Sequence, residues 1–87
     1  MTNMPYLKCK YYQGVFSHEY FILFNCSHQN WCFVNKEDVK PINGVNGLVK
    51  VVLRSIEEDS AVIGINDTGD MRQTSFMVPK EEVIEKY

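Results

Sequence analysis

Apolar side chains alternate with other residues along several short runs of this chain, and no run keeps the 3.6-residue period of a long helix. Aromatic and β-branched residues, which strands prefer, are frequent within these runs. The pattern predicts an all-β protein of about six strands. The predicted strands cover residues 7–12, 20–25, 32–34, 49–54, 61–66 and 76–78.

The runs occur in the same order in two halves of the chain. Three pairs of segments match: CFVNKEDV (32–39) with FMVPKEEV (76–83), at an offset of 44 residues; YFILFN (20–25) with AVIGIN (61–66), at an offset of 41; and LKCKYY (7–12) with VKVVLR (49–54), at an offset of 42. Repeats of this length usually correspond to supersecondary units. We therefore expect one domain, residues 1–87, with an internal repeat of residues 6–40 and 48–84.

Short connections complete this plan. KPINGVNG (40–47) holds two Asn-Gly pairs and a proline, so we expect it to be a turn-rich join between the halves. NKEDV (35–39) and VPKEEV (78–83) each predict one helical turn, with Asn35 as an N-cap and Pro79 at the first helical position. The whole resembles a small SH3-like or Tudor-like barrel, or a pseudo-two-fold pair of three-stranded antiparallel sheets, with one-turn helices after strands three and six.

One face of every predicted strand is apolar in both halves of the chain. Because side chains alternate between the two faces of a strand, these positions are expected to point inward and form the core. They are Leu7, Cys9, Tyr11, Tyr20, Ile22, Phe24, Cys32 and Val34 in the first half, and Val49, Val51, Leu53, Ala61, Ile63, Ile65, Phe76 and Val78 in the second.

The opposite face differs between the two halves. It is mixed in the second half, whereas in the first half five large apolar or aromatic side chains lie beside two lysines. A solvated sheet face should be polar. This face is therefore either an interaction surface, or it is covered by the other half or by the C-terminal VIEKY. The candidate binding residues are Lys8, Lys10, Tyr12, Phe21, Leu23, Trp31 and Phe33.

NCSHQNWC (25–32) contains two cysteines, a histidine and the only tryptophan. Pairing Phe24 with Val34 would place Cys26 opposite Cys32, at about the separation that a disulfide needs. The weak metal-site candidates are Cys9, Cys26, His28 and Cys32, with His18 as the alternative to His28. The spacing matches no standard zinc motif, and cysteine often packs as a small buried hydrophobe. We favour the buried, structural interpretation.

Charge and composition restrict the function. The net charge of −2 argues against broad, charge-driven binding of nucleic acid. Binding of nucleic acid through a local basic stripe remains an alternative. Paired carboxylates fall in predicted turns, and no phosphate-binding glycine loop is present, so an enzyme is not expected. The sequence shows neither a membrane-spanning run nor an N-terminal signal core, and its three cysteines are an odd number, so a cytoplasmic protein is expected.

These observations favour a non-enzymatic binding or adaptor module that engages a protein partner through the aromatic sheet face. That partner is either another protein, which this chain could inhibit, or a second copy in a homodimer. The alternative is a nucleic-acid or nucleotide binder on the same face, because small β domains stack bases on aromatics beside lysines. A second alternative is a zinc- or thiol-dependent protein that uses Cys9, Cys26 and Cys32. No cofactor and no membrane partner are expected.

Overall fold

The computed structural model describes residues 5–69 and 72–85, which form nine β-strands and two single-turn 3-10 helices. The strands are β1 (Tyr6–Gln13), β2 (Glu19–Leu23), β3 (Trp31–Asn35), β4 (Val39–Asn43), β5 (Asn46–Lys50), β6 (Val52–Ile56), β7 (Ser60–Asp67), β8 (Arg72–Pro79) and β9 (Val83–Ile84). The 3-10 helices are Lys36–Asp38, after β3, and Lys80–Glu82, after β8. The all-β prediction is confirmed, as are the two helical turns.

The strands form two antiparallel sheets. The larger sheet has the order β3-β2-β1-β5-β4, and β9 also pairs with β1. The smaller sheet has the order β6-β7-β8. Only Val51 separates β5 from β6, so the chain passes from one sheet to the other at this residue. Among the strands described, this order does not close a barrel.

The strand register follows a two-fold pattern. β1 and β5 pair antiparallel with Leu7 opposite Val49, two residues that the 42-residue offset makes equivalent. The pair Lys8–Leu48 on one side of this point corresponds to the pair Tyr6–Lys50 on the other. The same offsets relate the β1–β2 hairpin to the β6–β7 hairpin. Residues that pair in the first hairpin correspond to residues that pair in the second, until a bulge in β6 shifts the register. The boundaries of the repeat stay a prediction.

The last strand of each half lies against the first strand of the other half. β4 pairs with β5, with Val39 opposite Val49, and β9 pairs with β1, with Val83 opposite Leu7. These two contacts are equivalent under the repeat. The halves are therefore interlocked by backbone hydrogen bonds as well as by their shared core.

The core lies between the two sheets, and apart from Val39 it consists of inward side chains that alternation predicts. Fully burying one such aliphatic or aromatic side chain contributes about 1.5–3 kcal/mol. The buried core residues are Leu7, Cys9, Ile22, Phe24, Cys32, Val34, Val39, Val49, Val51, Ala61, Ile63, Ile65, Phe76 and Val78. Tyr11, Tyr20 and Leu53 pack against this core while half-buried. The predicted inward face is confirmed.

Two details of the sequence prediction are wrong. KPINGVNG is not mainly a turn, because residues 39–43 and 46–50 form a hairpin whose tip is Gly44, at a φ of 55°. Pro41 fits in β4 because this strand is at the edge of the sheet, where a missing N–H is tolerated. Pro79 is the N-cap of its helix rather than the first helical residue, whereas Asn35 is the N-cap as predicted, although its side chain makes no capping hydrogen bond. None of the described residues belongs to a helix long and apolar enough to cross a membrane.

Candidate functional site

The candidate binding residues lie in two rows across the outer face of β1, β2 and β3. Tyr12 is opposite Phe21, and Phe21 is opposite Phe33, which makes the first row. Lys10, Leu23 and Trp31 make the second row in the same way. We call Tyr12, Phe21, Leu23, Trp31 and Phe33 the aromatic face.

The rings of the aromatic face contact one another around Phe21. Its ring centroid lies 5.4 Å from that of Phe33, 5.9 Å from Trp31 and 6.5 Å from Tyr12. Trp31 and Phe33 meet edge to face at 6.1 Å. Such pairs contribute about 0.5–1.5 kcal/mol beyond the area they bury. The cluster is therefore a pre-formed surface rather than four separate rings.

The aromatic face remains accessible. Trp31 is 43% exposed and Tyr12 is 40% exposed, while Phe21, Leu23 and Phe33 are half-buried by their neighbours. The smaller sheet packs against the opposite side of β2 and β3, where Ile22 and Cys32 are fully buried. β9 joins the edge of β1 instead of lying across this face.

The second half provides an internal comparison for these positions. Phe21, Leu23, Trp31 and Phe33 correspond to Val62, Gly64, Ser75 and Met77. None of the four second-half residues carries a ring, although both halves build the same strands with the same register. The fold therefore does not require aromatic side chains here.

A set of lysines continues the same sheet face beyond the aromatic rows. Lys8 and Lys10 are exposed on β1, and the register places Lys40 of β4 and Lys50 of β5 on the same side of the sheet. Sequence reasoning missed the last two, because only the pairing of β4 with β5 and β1 brings them onto this face. The Lys40 ammonium lies 5.3 Å from the centre of the Tyr6 ring.

Carboxylates of the two 3-10 helices lie beside these lysines. Burial raises the pKa of Asp38, Lys50 lowers it, and Glu37 raises it. At the equivalent place Glu82 and Lys8 line the same open depression, of about 310 Å³. These carboxylates therefore partly offset the positive charge of Lys8 and Lys50.

Glu19 lies at the opposite end of the aromatic face and is almost fully buried, at 6% exposure. Its carboxylate accepts a hydrogen bond from the Phe16 backbone N–H at 3.3 Å and from the Thr68 hydroxyl at 2.9 Å. Thr68 belongs to the β7–β8 hairpin, and its N–H donates to the Phe33 carbonyl at 3.0 Å. Sequence reasoning missed Glu19, although its position in β2 places it on the same face as Phe21.

The cysteines are not arranged as the sequence suggested. Cys32 lies opposite Ile22, not opposite Cys26, because the predicted pairing of Phe24 with Val34 is wrong. β2 ends at Leu23, and Cys26 lies in the following loop, where its Sγ donates to the Met77 carbonyl at 3.2 Å. All three cysteines are free thiols.

The buried thiols are poor ligands and poor nucleophiles. Burial raises the pKa of Cys9 to about 12, and burial with the nearby Asp67 and Cys9 raises the pKa of Cys32 to about 12. His28 is exposed. Within residues 5–69 and 72–85, no group of three His, Cys, Asp or Glu side chains is arranged to hold a metal ion. The geometry gives a zinc- or thiol-based function no support.

Comparison of the chain with known protein families, curated proteins and solved structures found no match.

Proposed function

We propose that this protein is a non-enzymatic binding module whose aromatic face, flanked by Lys8 and Lys10, engages a partner protein. The observation that carries the proposal is the contrast between the halves at matched positions. Phe21, Trp31 and Phe33 are absent from the second half, which has the same backbone plan without them.

The chemistry of the aromatic face suits a protein partner. Tyr, Trp and Phe are enriched at the centres of protein interfaces, because they bury a large area and lose little conformational freedom. Trp31 lies in the second row of the face, beside Leu23 and next to the Phe21 and Phe33 rings. It is therefore the expected energetic centre of the interface.

The proposal has three further parts. The partner is another protein, which this chain could inhibit, or a second copy of the chain. The location is cytoplasmic, where free thiols stay reduced. The domain is related in architecture to the small SH3-like or Tudor-like barrels, which use exposed sheet and loop surfaces for binding.

A photo-reactive phenylalanine analogue at position 31, expressed in the native host, tests the proposal. We expect ultraviolet light to link position 31 to one protein, and an adduct of twice the chain mass would identify a second copy. The control carries the same analogue at position 75, the exposed equivalent of Trp31 in the second half. Equal adducts from both positions, or none from position 31, would overturn the proposal.

Competition adds a second readout to the same experiment. Unlabelled wild-type protein should suppress the adduct, and the Trp31→Ser variant should not. Trp31 is 43% exposed but contacts two rings, so the thermal unfolding of this variant is measured first, and lost competition counts against wild type only at a temperature where the variant is folded.

A nucleic-acid binder is the second candidate, and the four lysines on one sheet face favour it. Stacking aromatics beside a positive groove are typical of single-strand binding. Against it, Asp38 and Glu82 lie beside Lys50 and Lys8. A fluorescent single-stranded oligonucleotide decides between the candidates. Affinity that falls steeply with salt and is lost in Lys8→Ala would support the nucleic-acid candidate, and absence of binding at low salt would exclude it.

A further inference from the structure

The open depression of about 310 Å³ beside Lys8 lies where two strands leave β1. β2 pairs with β1 only from residue 10 onward, and β9 pairs with it only at residues 6 and 7, so residues 8 and 9 face a gap between these two strands. We call this the lysine depression. Its charged and amide side chains are Lys8, Lys10, Asn25, Asn46 and Glu82.

The lysine depression adjoins the aromatic face. Lys10 is opposite Leu23, and Leu23 is opposite Trp31, so the three side chains form one row across three strands. Neighbouring strands are about 4.8 Å apart, which puts Lys10 about 10 Å from Trp31 along this row. A specific interface covers about 800 Å² of each protein, so a partner centred on Trp31 also covers Lys10.

The second half shows which charge in the lysine depression is additional. Lys8 lies there with Glu82. Their two-fold equivalents are Lys50 and Asp38, whose charges also interact. A lysine beside a carboxylate is therefore common to both halves. Lys10 has no charged equivalent, because a valine occupies position 52. The unbalanced positive charge is thus confined to the half that carries the aromatic face.

The charges of the rest of the chain leave this excess in place. Residues 1–43 hold four basic and three acidic residues, whereas residues 44–87 hold five basic and eight acidic residues. The acidic surplus therefore comes from the second half, while Lys10 belongs to the first. Exposed charges more than about 8 Å apart are largely screened at physiological ionic strength, so acidic residues beyond that distance do not cancel Lys10.

We propose that a carboxylate of the partner protein binds at Lys10 while an apolar side chain of the same segment packs on Trp31. The aromatic face and the lysine depression together then recognise an acidic segment with an apolar anchor. This proposal rests on the proposed function and names the chemistry of the partner. Complementary charge of this kind directs association, and it excludes proteins that would place a like charge opposite Lys10.

A nucleic acid fits the lysine depression less well than a carboxylate does. A nucleic-acid backbone carries a charge at every phosphate, and its affinity grows with the number of phosphates that basic side chains neutralise. Because Glu82 lies with Lys8, only Lys10 is in excess. One unbalanced lysine matches a single carboxylate rather than a row of phosphates.

Charge reversal at Lys10, combined with photo-crosslinking from position 31, tests the proposal. Lys10→Glu should lower the yield of the position-31 adduct about tenfold, because it places a like charge opposite the partner's carboxylate. Lys10→Val, which introduces the residue of the second half, should lower the yield about threefold. Circular dichroism establishes first that each variant is folded, and Lys10→Val keeps the test decisive if Lys10→Glu does not fold.

Lys80→Glu is the matched control. Lys80 is exposed and lies outside the lysine depression, and the substitution changes the net charge of the chain as much as Lys10→Glu does. Its adduct yield should stay within about twofold of wild type, since a distant exposed charge is screened. Equal yields from wild type and the folded Lys10 variants, or an equal loss in Lys80→Glu, would overturn the proposal.

A charge swap in the partner locates the carboxylate. Mass spectrometry of the adduct identifies the linked segment of the partner, and each acidic residue of that segment is changed to lysine in turn. One of these changes should lose the adduct with the wild-type chain and restore it with Lys10→Glu. Failure of every change to restore it would overturn the proposal, as would an adduct of twice the chain mass or one that nuclease removes.

The two proposals fail in distinguishable ways. An adduct that forms at position 31 and is insensitive to Lys10→Glu would remove the acidic-segment proposal and leave the binding module in place. No adduct from wild type at position 31 would remove the proposed function, and the acidic-segment proposal with it.

Discussion

Cys9 and Cys32 show how burial changes the chemistry of a residue type that invites a catalytic interpretation. Cys9 is 7% exposed and Cys32 is fully buried. Their equivalents in the second half are Val51 and Phe76, which are ordinary core residues. The thiols therefore fill volume between the sheets, and each stays protonated because an anion there would lack solvation.

The buried thiols predict a loss of stability at alkaline pH. Burial raises the pKa of Cys9 from 9.0 to about 12. Between these values the unfolded chain releases a proton that the folded protein keeps, so the stability present below pH 9 falls as the pH rises. At a pH one unit above 9 the loss is about 1.4 kcal/mol per thiol. Urea unfolding monitored by Trp31 fluorescence on both sides of pH 9 measures it.

The Cys9→Val variant isolates this effect, because valine is the residue at the equivalent position 51. The alkaline loss of stability should shrink by about 1.4 kcal/mol relative to wild type, since the other titrating groups are common to both proteins. Val51→Ala is the matched control, since it perturbs the core without removing a thiol. An unchanged alkaline loss in Cys9→Val would contradict the burial argument.

The alternation of side chains along a strand predicted the inward direction of Cys32 but not the position of Cys26. The period-two rule holds only while the strand continues, and β2 ends at Leu23. Beyond that residue Cys26 belongs to a loop, and a tertiary contact with Met77 determines its position. No pattern in residues 25–32 encodes that contact.

Gly47 and Gly64 both lie in strands, but a side chain added at the two positions would contact different kinds of atoms. A Cβ atom on Gly47 would lie 2.9 Å from Tyr11 Cδ1 and 3.1 Å from the Lys40 carbonyl oxygen. The Tyr11 ring packs against the core and against Tyr20 at 4.9 Å, so it cannot withdraw. A Cβ atom on Gly64 would instead lie 2.6 Å from the Gln73 side-chain oxygen, which is the end of a flexible side chain.

We expect Gly47→Ala to lower the free energy of unfolding by about 1–3 kcal/mol, through overpacking against a fixed ring and a backbone oxygen. Gly64→Ala should stay within about 0.5 kcal/mol of wild type. There, displacement of Gln73 loses its hydrogen bond with Arg54, and the reduced freedom of the unfolded chain offsets that loss. Chemical denaturation of both variants measures the difference, and equal costs would contradict this reading of the two sites.

Seven of the nine described strands overlap a run that the apolar pattern marked, but β5 and β6 share a single run, and β4 and β9 overlap none. β5 was merged with β6 because the break at Val51 is a change of sheet, not a change of composition. β4 contains Pro41 and has most of its side chains exposed, so it lacks an alternating signal. β9 has two residues and pairs with Tyr6 and Leu7, at the part of β1 that β2 does not reach.

For the molecule as a whole, the two halves share a backbone plan and differ in surface chemistry. The aromatic face could be identified from sequence, because alternation assigns Phe21, Trp31 and Phe33 to one side. The open pocket beside Glu19 could not be identified in this way, because its walls come from the β1–β2 loop and from Thr68 of the other half. Long-range contacts of hairpin tips are set by how the halves dock, and single-strand patterns carry no information about docking.

The interlocked halves lead to a prediction about chain connectivity. The turn at Gly44 joins β4 to β5, and its two-fold counterpart is the gap between β9 and β1, where Ile84 lies opposite Tyr6. A circular permutant that joins residue 87 to residue 1 by a short glycine-rich link and opens the chain between Gly44 and Val45 should therefore keep every strand pair.

We expect this permutant to unfold cooperatively, with a free energy of unfolding within about 2 kcal/mol of the parent protein, because one short loop closure replaces another. Trp31 fluorescence and amide NMR should show the same core and register. The matched control opens the chain between Ile63 and Gly64, in the central strand of the smaller sheet, where Ile63 is fully buried. That control should not fold, because β7 would lose its continuity between β6 and β8. If the first permutant were unfolded too, the equivalence of the Gly44 turn and the β9–β1 gap would be wrong, and the two-fold register would be a local feature of β1 and β5 only.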